Sequence, residues 1–495
     1  MEVIFIAPLH KLFTHFRFLL TLRSQEGKYH SLILFRLTPF RAHPCNDDHS
    51  ETKIDEESTL GPKLRAAYHQ LYVMESACPH LGAEMTHADI EEYEDTVIAV
   101  CPWHRYDFDL KTGKSETGLR TCTYPVEVRV EDRVEKVYIE GPSDGSGWRV
   151  VELRPVSEEF ADPPSQQTSK DASEQQVNDE ATVSRENEPT IPLVDPPKTL
   201  MEWAVLILNT PNPVLKVERT KHAVHAFRTG KLTSIGNKSS KAPRPPDVPP
   251  REEDFKKNIV NPGKVKKRRN RAAMLHALAN IEQWAIDLAW DIIARFGPMH
   301  KDLPAAFFSD FTKMALDESK HFSLLVSRLA SLNTPYGSLP THASLWESAT
   351  ATSQSFRARL SIIHLVHEAR GLDVNPTTID KFRKAGDKES VKAMEIIHAD
   401  EVTHVTAGHR WFCWACEKGY GGGIEPGVPV DPVKTFREEV KRYWKGEIKG
   451  PFNVADREKA GLAPDFYEDL RGDVELELEP PEVTEAEIPV AYETK

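Results

Sequence analysis

From Tyr29 to Leu153 apolar and polar residues alternate over short stretches such as Ser31–Leu37, Gln70–Glu75, Thr96–Val100 and Val126–Val130. A period of two, rich in β-branched residues and punctuated by turns, predicts strands. From Ala272 to about Tyr420 the period lengthens to 3.6, which predicts long helices. Between them, residues 155–199 are dominated by Ser, Gln, Glu, Asp and Pro, with Phe160 as their one aromatic. Such a segment buries too little apolar surface to offset the entropy of ordering. Residues 200–271 mix a helical stretch, Met201–Leu208, with the Pro-rich passage Pro243–Pro250 and the basic run Lys264–Arg271. The pattern therefore predicts a multidomain chain, all-β and then all-α. Its boundaries are a terminal segment at 1–27, a β domain at 28–154, an acidic disordered linker at 155–199, a lead-in at 200–271, a helical domain at 272–450 and an acidic tail at 451–495.

Composition changes this picture little. The 495 residues carry a net charge of −13, of which the linker holds −7 and the tail −9, leaving the remainder near +3. The acidity belongs to the expected flexible parts and favours solubility, so nucleic acid is not an expected partner. No apolar run reaches 18 residues, so no helical membrane span is predicted. Six cysteines show no disulfide framework, which fits a reducing, cytoplasmic setting. Residues 1–23 carry Lys11, Arg17 and Arg23, with no acid between Glu2 and Glu26. That bias suits mitochondrial import as the alternative, although an ordinary terminal segment or a surface helix fits the short apolar runs better.

Two loops in the β region carry chemistry. Residues 78–82 read Cys-Pro-His-Leu-Gly and residues 101–104 read Cys-Pro-Trp-His. A zinc site also takes two Cys and two His. Here each pair is heterotypic, and the residues between His80 and Cys101 end in a strand-like run without a finger's helix. That pattern suits a cluster with one iron on two thiolates and the other on two imidazoles. Cys78, His80, Cys101 and His104 are the expected ligands.

The helical region holds Asp317-Glu318-Ser-Lys-His321 and Asp400-Glu401-Val-Thr-His404. Glu401 and His404 share a 3-4 stripe with Met394, Ile397, Gly408, Trp411 and Ala415. Glu318 and His321 share one with Phe307, Phe311, Met314 and Leu325. A third copy, Glu395 with His398, falls off the stripe and reads as surface. Glu282 lies on the stripe Leu275, Leu278, Ala285, Ala289, Ile292, and Glu368 lies between Leu365 and Leu372. Four carboxylates and two imidazoles on apolar faces would be costly to bury without a neutralising partner, and two metal ions supply one. Asp317 and Asp400 point about 100° away from the adjacent Glu. Each is expected to accept the free N–H of a metal-binding His on the opposite motif-bearing helix, fixing its tautomer. Cys413-x-x-Cys416 reads as one packed helix face and the basic run as a solvated loop. His276, His364, His367 and His409 read as outer or surface groups rather than ligands.

The stretch Cys101-Pro-Trp-His-Arg-Tyr-Asp-Phe-Asp-Leu-Lys-Thr-Gly113 resembles the second cluster loop of Rieske ferredoxins and oxygenase-associated Rieske domains. The extra cysteines of cytochrome bc-type Rieske proteins are replaced here by Ala83 and Trp103, so the resemblance implies the ferredoxin-like branch, at the lower end of the Rieske potential range. Residues from about Pro197 to Tyr420 resemble the ferritin-like superfamily, and within it a poorly characterised family. Met274-Leu-His-Ala-Leu-Ala-Asn-Ile-Glu282 and the two Asp-Glu-x-x-His motifs carry that likeness; a tRNA hydroxylase of the superfamily is a more distant relative. Together they imply an all-β Rieske domain and an all-α ferritin-like four-helix bundle. The implied cofactors are one 2Fe–2S cluster and two iron ions, with manganese as the alternative. The implied function is a di-iron oxidoreductase, hydroxylase or oxidase, fed by an external reductase or ferredoxin reductase and acting on O2 and an unknown substrate. An electron carrier whose helical domain docks a partner, and an iron-handling ferroxidase-like protein, are the alternatives.

Overall fold

The computed structural model of the chain describes residues 2–37, 61–93, 96–156, 188–260, 270–420 and 427–473. The period-2 stretches form antiparallel sheets. Strands β1 (Val3–Pro8), β2 (Arg17–Arg23), β3 (Tyr29–Arg36), β4 (Leu71–Glu75), β5 (Asp89–Tyr93), β6 (Thr96–Val100), β7 (Asp107–Asp109), β8 (Thr123–Tyr124), β9 (Val126–Glu131), β10 (Val134–Glu140) and β11 (Arg149–Pro155) make three sheets. Their orders are β11-β2-β3-β4-β8, β1-β10-β9 and β5-β6-β7. Alternation explains how they stack, because successive strand residues face opposite sides. Leu32 and Leu34 of β3 enter a core with Leu20, Val128 and Ile139. Ile33 and Phe35 enter a second core with Met74, Phe108, Cys78 and Cys101. The loops holding those cysteines therefore rest on a strand buried on both faces.

Residues 1–27 are not a separate terminal segment or a surface helix. β1 pairs with β10, and β2 lies between β11 and β3. Phe18, Leu19, Leu20 and Leu22 are all buried, and so short a continuous apolar run has no readable period.

The 3.6-period region folds as helices α1 (Leu200–Leu208), α2 (Pro213–Arg228), α3 (Arg271–Phe296), α4 (Ala305–Ser331), α5 (Glu368–Lys384) and α6 (Lys388–Glu417). Capping sets their starts: Thr199 forms a capping box with Glu202, and the Asn270 and Asp387 side chains accept from Ala273 and Ser390 N–H. α3 packs on α4, α5 on α6 and α6 on α4. The stretch Leu360–His367, running straight into α5, is π-helical. π turns are rare and cluster at functional sites. The long connection between α4 and α5 carries a short helix, Ser344–Ala351.

Two other boundaries move. Of the expected linker, residues 157–187 lie outside the described residues, but 188–199 are held on the helical domain. Arg219, almost fully buried, donates to the Thr190 and Pro189 carbonyls and to Glu188. A polar anchor of this kind leaves no trace in apolar patterning. The expected tail is packed as far as Asp473. Phe466 and Tyr467 are buried, and Arg457 reaches Asp373 at 2.7 Å. Residues 474–495, and most of the basic run at 264–271, lie outside the described residues.

Candidate electron-transfer and metal sites

Two similar turns present Cys78, His80, Cys101 and His104. The Cys78 N–H donates to the Ala83 carbonyl and the Cys101 N–H to that of Tyr106, each closing a short loop. Both loops pass through a left-handed residue four places after the Cys, Gly82 (φ 77°) and Arg105 (φ 61°). The His80 and Leu81 N–H groups point at the Cys78 sulfur, and those of Trp103 and His104 at the Cys101 sulfur. The two thiols also face each other, and the hydrogen bond from Cys78 holds Cys101 below the usual thiol range. The His80 and His104 rings lie 5.0 Å apart, and His80 Nδ1 is buried with no hydrogen-bond partner among the described residues. Two buried sulfurs met by N–H donors, with two imidazoles beside them and one ring nitrogen unsatisfied, suit a 2Fe–2S cluster with mixed ligands.

The second site lies between α3, α4, α5 and α6. One ligand atom each from Glu282, Glu318, His321 and Glu401 fall within 4.8 Å of one another, and so do those of Glu318, Glu368, Glu401 and His404. The two groups share Glu318 and Glu401. His321 Nδ1 lies 3.2 Å from Glu318 and 3.6 Å from Glu282. His404 Nδ1 lies 3.0 Å from Glu318 Oε1 and 3.7 Å from Glu401 Oε2. Yet His404 Nδ1, Glu318 Oε1 and Glu401 Oε2 are all buried without a hydrogen-bond partner among the described residues. Acceptor atoms that converge on one volume without bonding one another suit a cation placed between them. Burial and the neighbouring carboxylates push Glu282 and Glu368 well above the usual range. Glu318 goes the other way, because the imidazoles of His404 and His321 outweigh burial.

The far ring nitrogens point outward. His321 Nε2 lies 3.0 Å from Asp400 Oδ2, and His404 Nε2 lies 3.5 Å from Asp317 Oδ2, each across to the other helix. Lys320 completes a cluster with both aspartates, 2.8 Å from Asp400 and 3.5 Å from Asp317.

The other histidines divide. His276 Nε2 accepts from the Gly337 and Leu339 N–H groups, His367 bonds Ser348, and His409 bonds Tyr29 of the β domain. His364, in the π-helical stretch, is fully buried, and neither ring nitrogen has a hydrogen-bond partner among the described residues. Glu395 is exposed and His398 bonds Asp456. Burial pushes the Cys413 and Cys416 thiols up to about 12, so neither is a reactive thiolate.

Residues 209–468 match the family described as "Protein of unknown function (DUF455)", and residues 48–126 match the Rieske [2Fe-2S] domain. The first match spans more than half of the chain. The chain belongs to the DUF455 family. A DUF455 helical domain is thus fused to an N-terminal Rieske domain, whose function is electron transfer through a 2Fe–2S cluster. An uncharacterized protein of Haemophilus influenzae is 37% identical over 194 residues, 39% of this chain; the chain spans 64% of that relative's length. Among the described residues, no helix is long and apolar enough to cross a membrane.

The Rieske and DUF455 parts are docked on each other, which nothing in the sequence announces. Trp103 Nε1 donates to the Phe227 carbonyl at 3.0 Å, and its ring lies 5.2 Å from that of Phe227. Gly82 approaches Ala305 so closely that an added Cβ would come within 2.9 Å of the Ala305 Cβ. Arg410 bonds Ser31 at 2.9 Å, and Lys313 pairs with Glu152. At the end of β11, Arg154 enters the outer aspartates of the DUF455 site, 2.8 and 2.6 Å from Asp317 and 3.4 Å from Asp400. No local pattern marks Arg154, because its partners lie 163 and 246 residues away. Lys320 was visible as i+3 from Asp317 but reads as an ordinary helix charge.

Proposed function

We propose that the Rieske domain passes electrons, one at a time, to a two-metal site in the helical domain, which has a ferritin-like arrangement. The observation that carries this is the pair of overlapping ligand groups that share Glu318 and Glu401. In this reading Cys78, His80, Cys101 and His104 hold the cluster. Glu282 and His321, with Glu318 and Glu401, would hold one ion, and Glu368 and His404, with the same Glu318 and Glu401, would hold the other. Iron fits this donor set, as does manganese. A bound pair of iron ions supplies O2-dependent oxidation once two electrons have arrived. The protein's own part is to fix the carboxylates, to hold both imidazoles through Asp317 and Asp400, and to keep the surroundings dry with Phe307, Phe311 and Leu325.

The helix that bears Glu318 also touches the cluster loop. Ala305 lies against Gly82, and Glu318 follows it by 13 residues, about 20 Å along the helix axis. On the stripe of α4 that leads to Glu318 lie Phe307 and Phe311, with ring centroids 4.8 Å apart, and His364 lies 4.9 Å from Phe311. The helix that carries Glu318 and His321 therefore also touches the cluster loop, and in this reading the transfer does not depend on a flexible tether.

The test begins with iron analysis and Mössbauer spectra of purified protein, expected to show cluster iron and a second, non-cluster pair. Protein reduced without oxygen is then mixed with O2 in a stopped flow, following the reduced cluster. Wild-type protein should re-oxidise faster than a Glu318→Ala, Glu401→Ala double variant. Identical traces would refute electron delivery to the helical site and leave the carrier reading. Cluster iron alone would refute the metal site.

A further inference from the structure

The outer aspartates present a charge problem that the helical domain does not solve alone. Asp317 and Asp400 are both buried and share the same two cations, and each faces the Nε2 of an imidazole whose Nδ1 faces the carboxylates of the inner site. A carboxylate holds an imidazole N–H in place only where it is itself fixed, and two close carboxylates repel each other unless positive charges lie between them. Lys320 supplies one positive charge from α4. The second comes from Arg154 of the Rieske domain, only 8% exposed. Its guanidinium forks onto both oxygens of Asp317 and reaches Asp400 as well. An Arg keeps its charge under all ordinary conditions, and its planar fork fixes carboxylate orientation in a way that a Lys cannot. Its backbone is set by the pairing of β11 with β2, where Arg154 lies opposite Leu19.

We propose that Arg154 is a positioning residue of the helical domain's metal site, so that seating of the Rieske domain and metal binding stabilise each other. The proposal rests on the two-metal reading above. Such coupling is reciprocal: if the seated Arg154 tightens metal binding, bound metal must tighten the seating by the same factor. The fusion then does more than keep two redox sites near each other, because the electron donor completes the acceptor's outer coordination.

The experiment uses the full-length protein with its cluster loaded, and ferrous iron under anaerobic conditions as the probe. Affinity at the helical site is read by competition with a ferrous chelator, and integrity of the Rieske domain by the EPR signal of its reduced cluster. Arg154→Met should bind ferrous iron roughly 10–100-fold more weakly, the range found when partners that orient metal ligands are lost, with the cluster signal unchanged. Arg154→Lys should regain part of the loss. Glu152→Gln is the control, since it breaks the pair with Lys313 on the same strand and interface but makes no hydrogen bond to either aspartate. It should bind close to wild type. Metal should also slow amide hydrogen exchange along β11 in wild type and not in Arg154→Met. Equal affinity for wild type and Arg154→Met, or an equal loss in Glu152→Gln, would overturn the proposal. Wild-type protein that takes up no ferrous iron beyond its cluster would instead overturn the two-metal reading itself.

Discussion

Gly408 gives the most discriminating test of how the helical site is built. It lies one turn beyond His404 on α6, where the helix runs against the π-helical stretch that leads into Glu368. An added Cβ would lie 2.3 Å from the His364 carbonyl oxygen and 3.0 Å from the His364 Cβ. Carbon–oxygen contacts ordinarily stay at about 3.3 Å or more, so Gly408→Ala needs roughly 1 Å of separation between the two backbones. Two effects oppose each other. Alanine is favoured over glycine inside a helix by about 1 kcal/mol, while forcing extra volume into a packed contact costs about 1–3 kcal/mol. The clash should win, because the obstacle is backbone and cannot rotate aside. A net loss of up to about 2 kcal/mol corresponds to a fall in Tm of up to roughly 8 °C for a domain of this size. The metal site should show more. Glu368 follows His364 by four residues and moves with it, away from Glu401 and His404. Metal analysis and chelator competition should show the Glu368–His404 half of the site weakened about tenfold or more, with the cluster EPR signal intact. A raised Tm with unchanged metal content would refute the reasoning.

Cys101→Ser and His80→Ala should each abolish the Rieske optical and EPR signals while helical circular dichroism is kept; a variant with the full reduced-cluster signal would remove that residue from the ligand set. His276 accepts two backbone N–H groups through a buried nitrogen, and burial holds its pKa at about 4. The unfolded chain, with a pKa of about 6.5, therefore binds more protons between those values. The stability His276 contributes is complete above pH 6.5 and is lost as pH falls through about 4, at up to about 1.4 kcal/mol per unit. Urea melts at pH 7, 5.5 and 4.5 should show a shallower acid loss in His276→Gln than in wild type, and equal slopes would exclude this origin. Cleaving the chain near Gln175 should leave the two parts associated and the re-oxidation rate of the cluster independent of protein concentration at micromolar levels. A rate that falls on dilution would show that the linker, rather than the docked interface, holds the domains together.

The parts of this protein that sequence reading reaches are those whose cause is local. A strand such as Thr96–Val100 shows its period within five residues. The helix stripes through Glu318 and Glu401 show theirs over about five turns or more, which is why Glu318, His321, Glu401 and His404 could be placed on inward faces. The boundaries it missed have non-local causes. β1 and β2 are strands because β10, β11 and β3 receive them, and residues 451–473 pack on the helical domain because Arg457 finds Asp373 on α5. The π-helical turn at Leu360–His367 is likewise set by what α6 permits at Gly408, and no propensity in Leu-Ser-Ile-Ile-His-Leu-Val-His announces it.

Arg154 is the sharpest case, and it changes the logic of the fusion. Sequence alone suggests two independent modules on a string, for which tethering would act by raising effective concentration. A tether of that kind tolerates length changes, since doubling a flexible loop costs only about 0.6 kcal/mol. The structure instead places a side chain of one module among the carboxylates that orient the other's imidazoles, beside further contacts at Trp103, Lys313 and Arg410. On the proposed reading, a module that donates electrons and also supplies a buried charge to its neighbour cannot be exchanged for another electron donor of equal potential. The functional unit is then the pair, and activity restored by adding a separate Rieske protein to the helical domain alone would count against it.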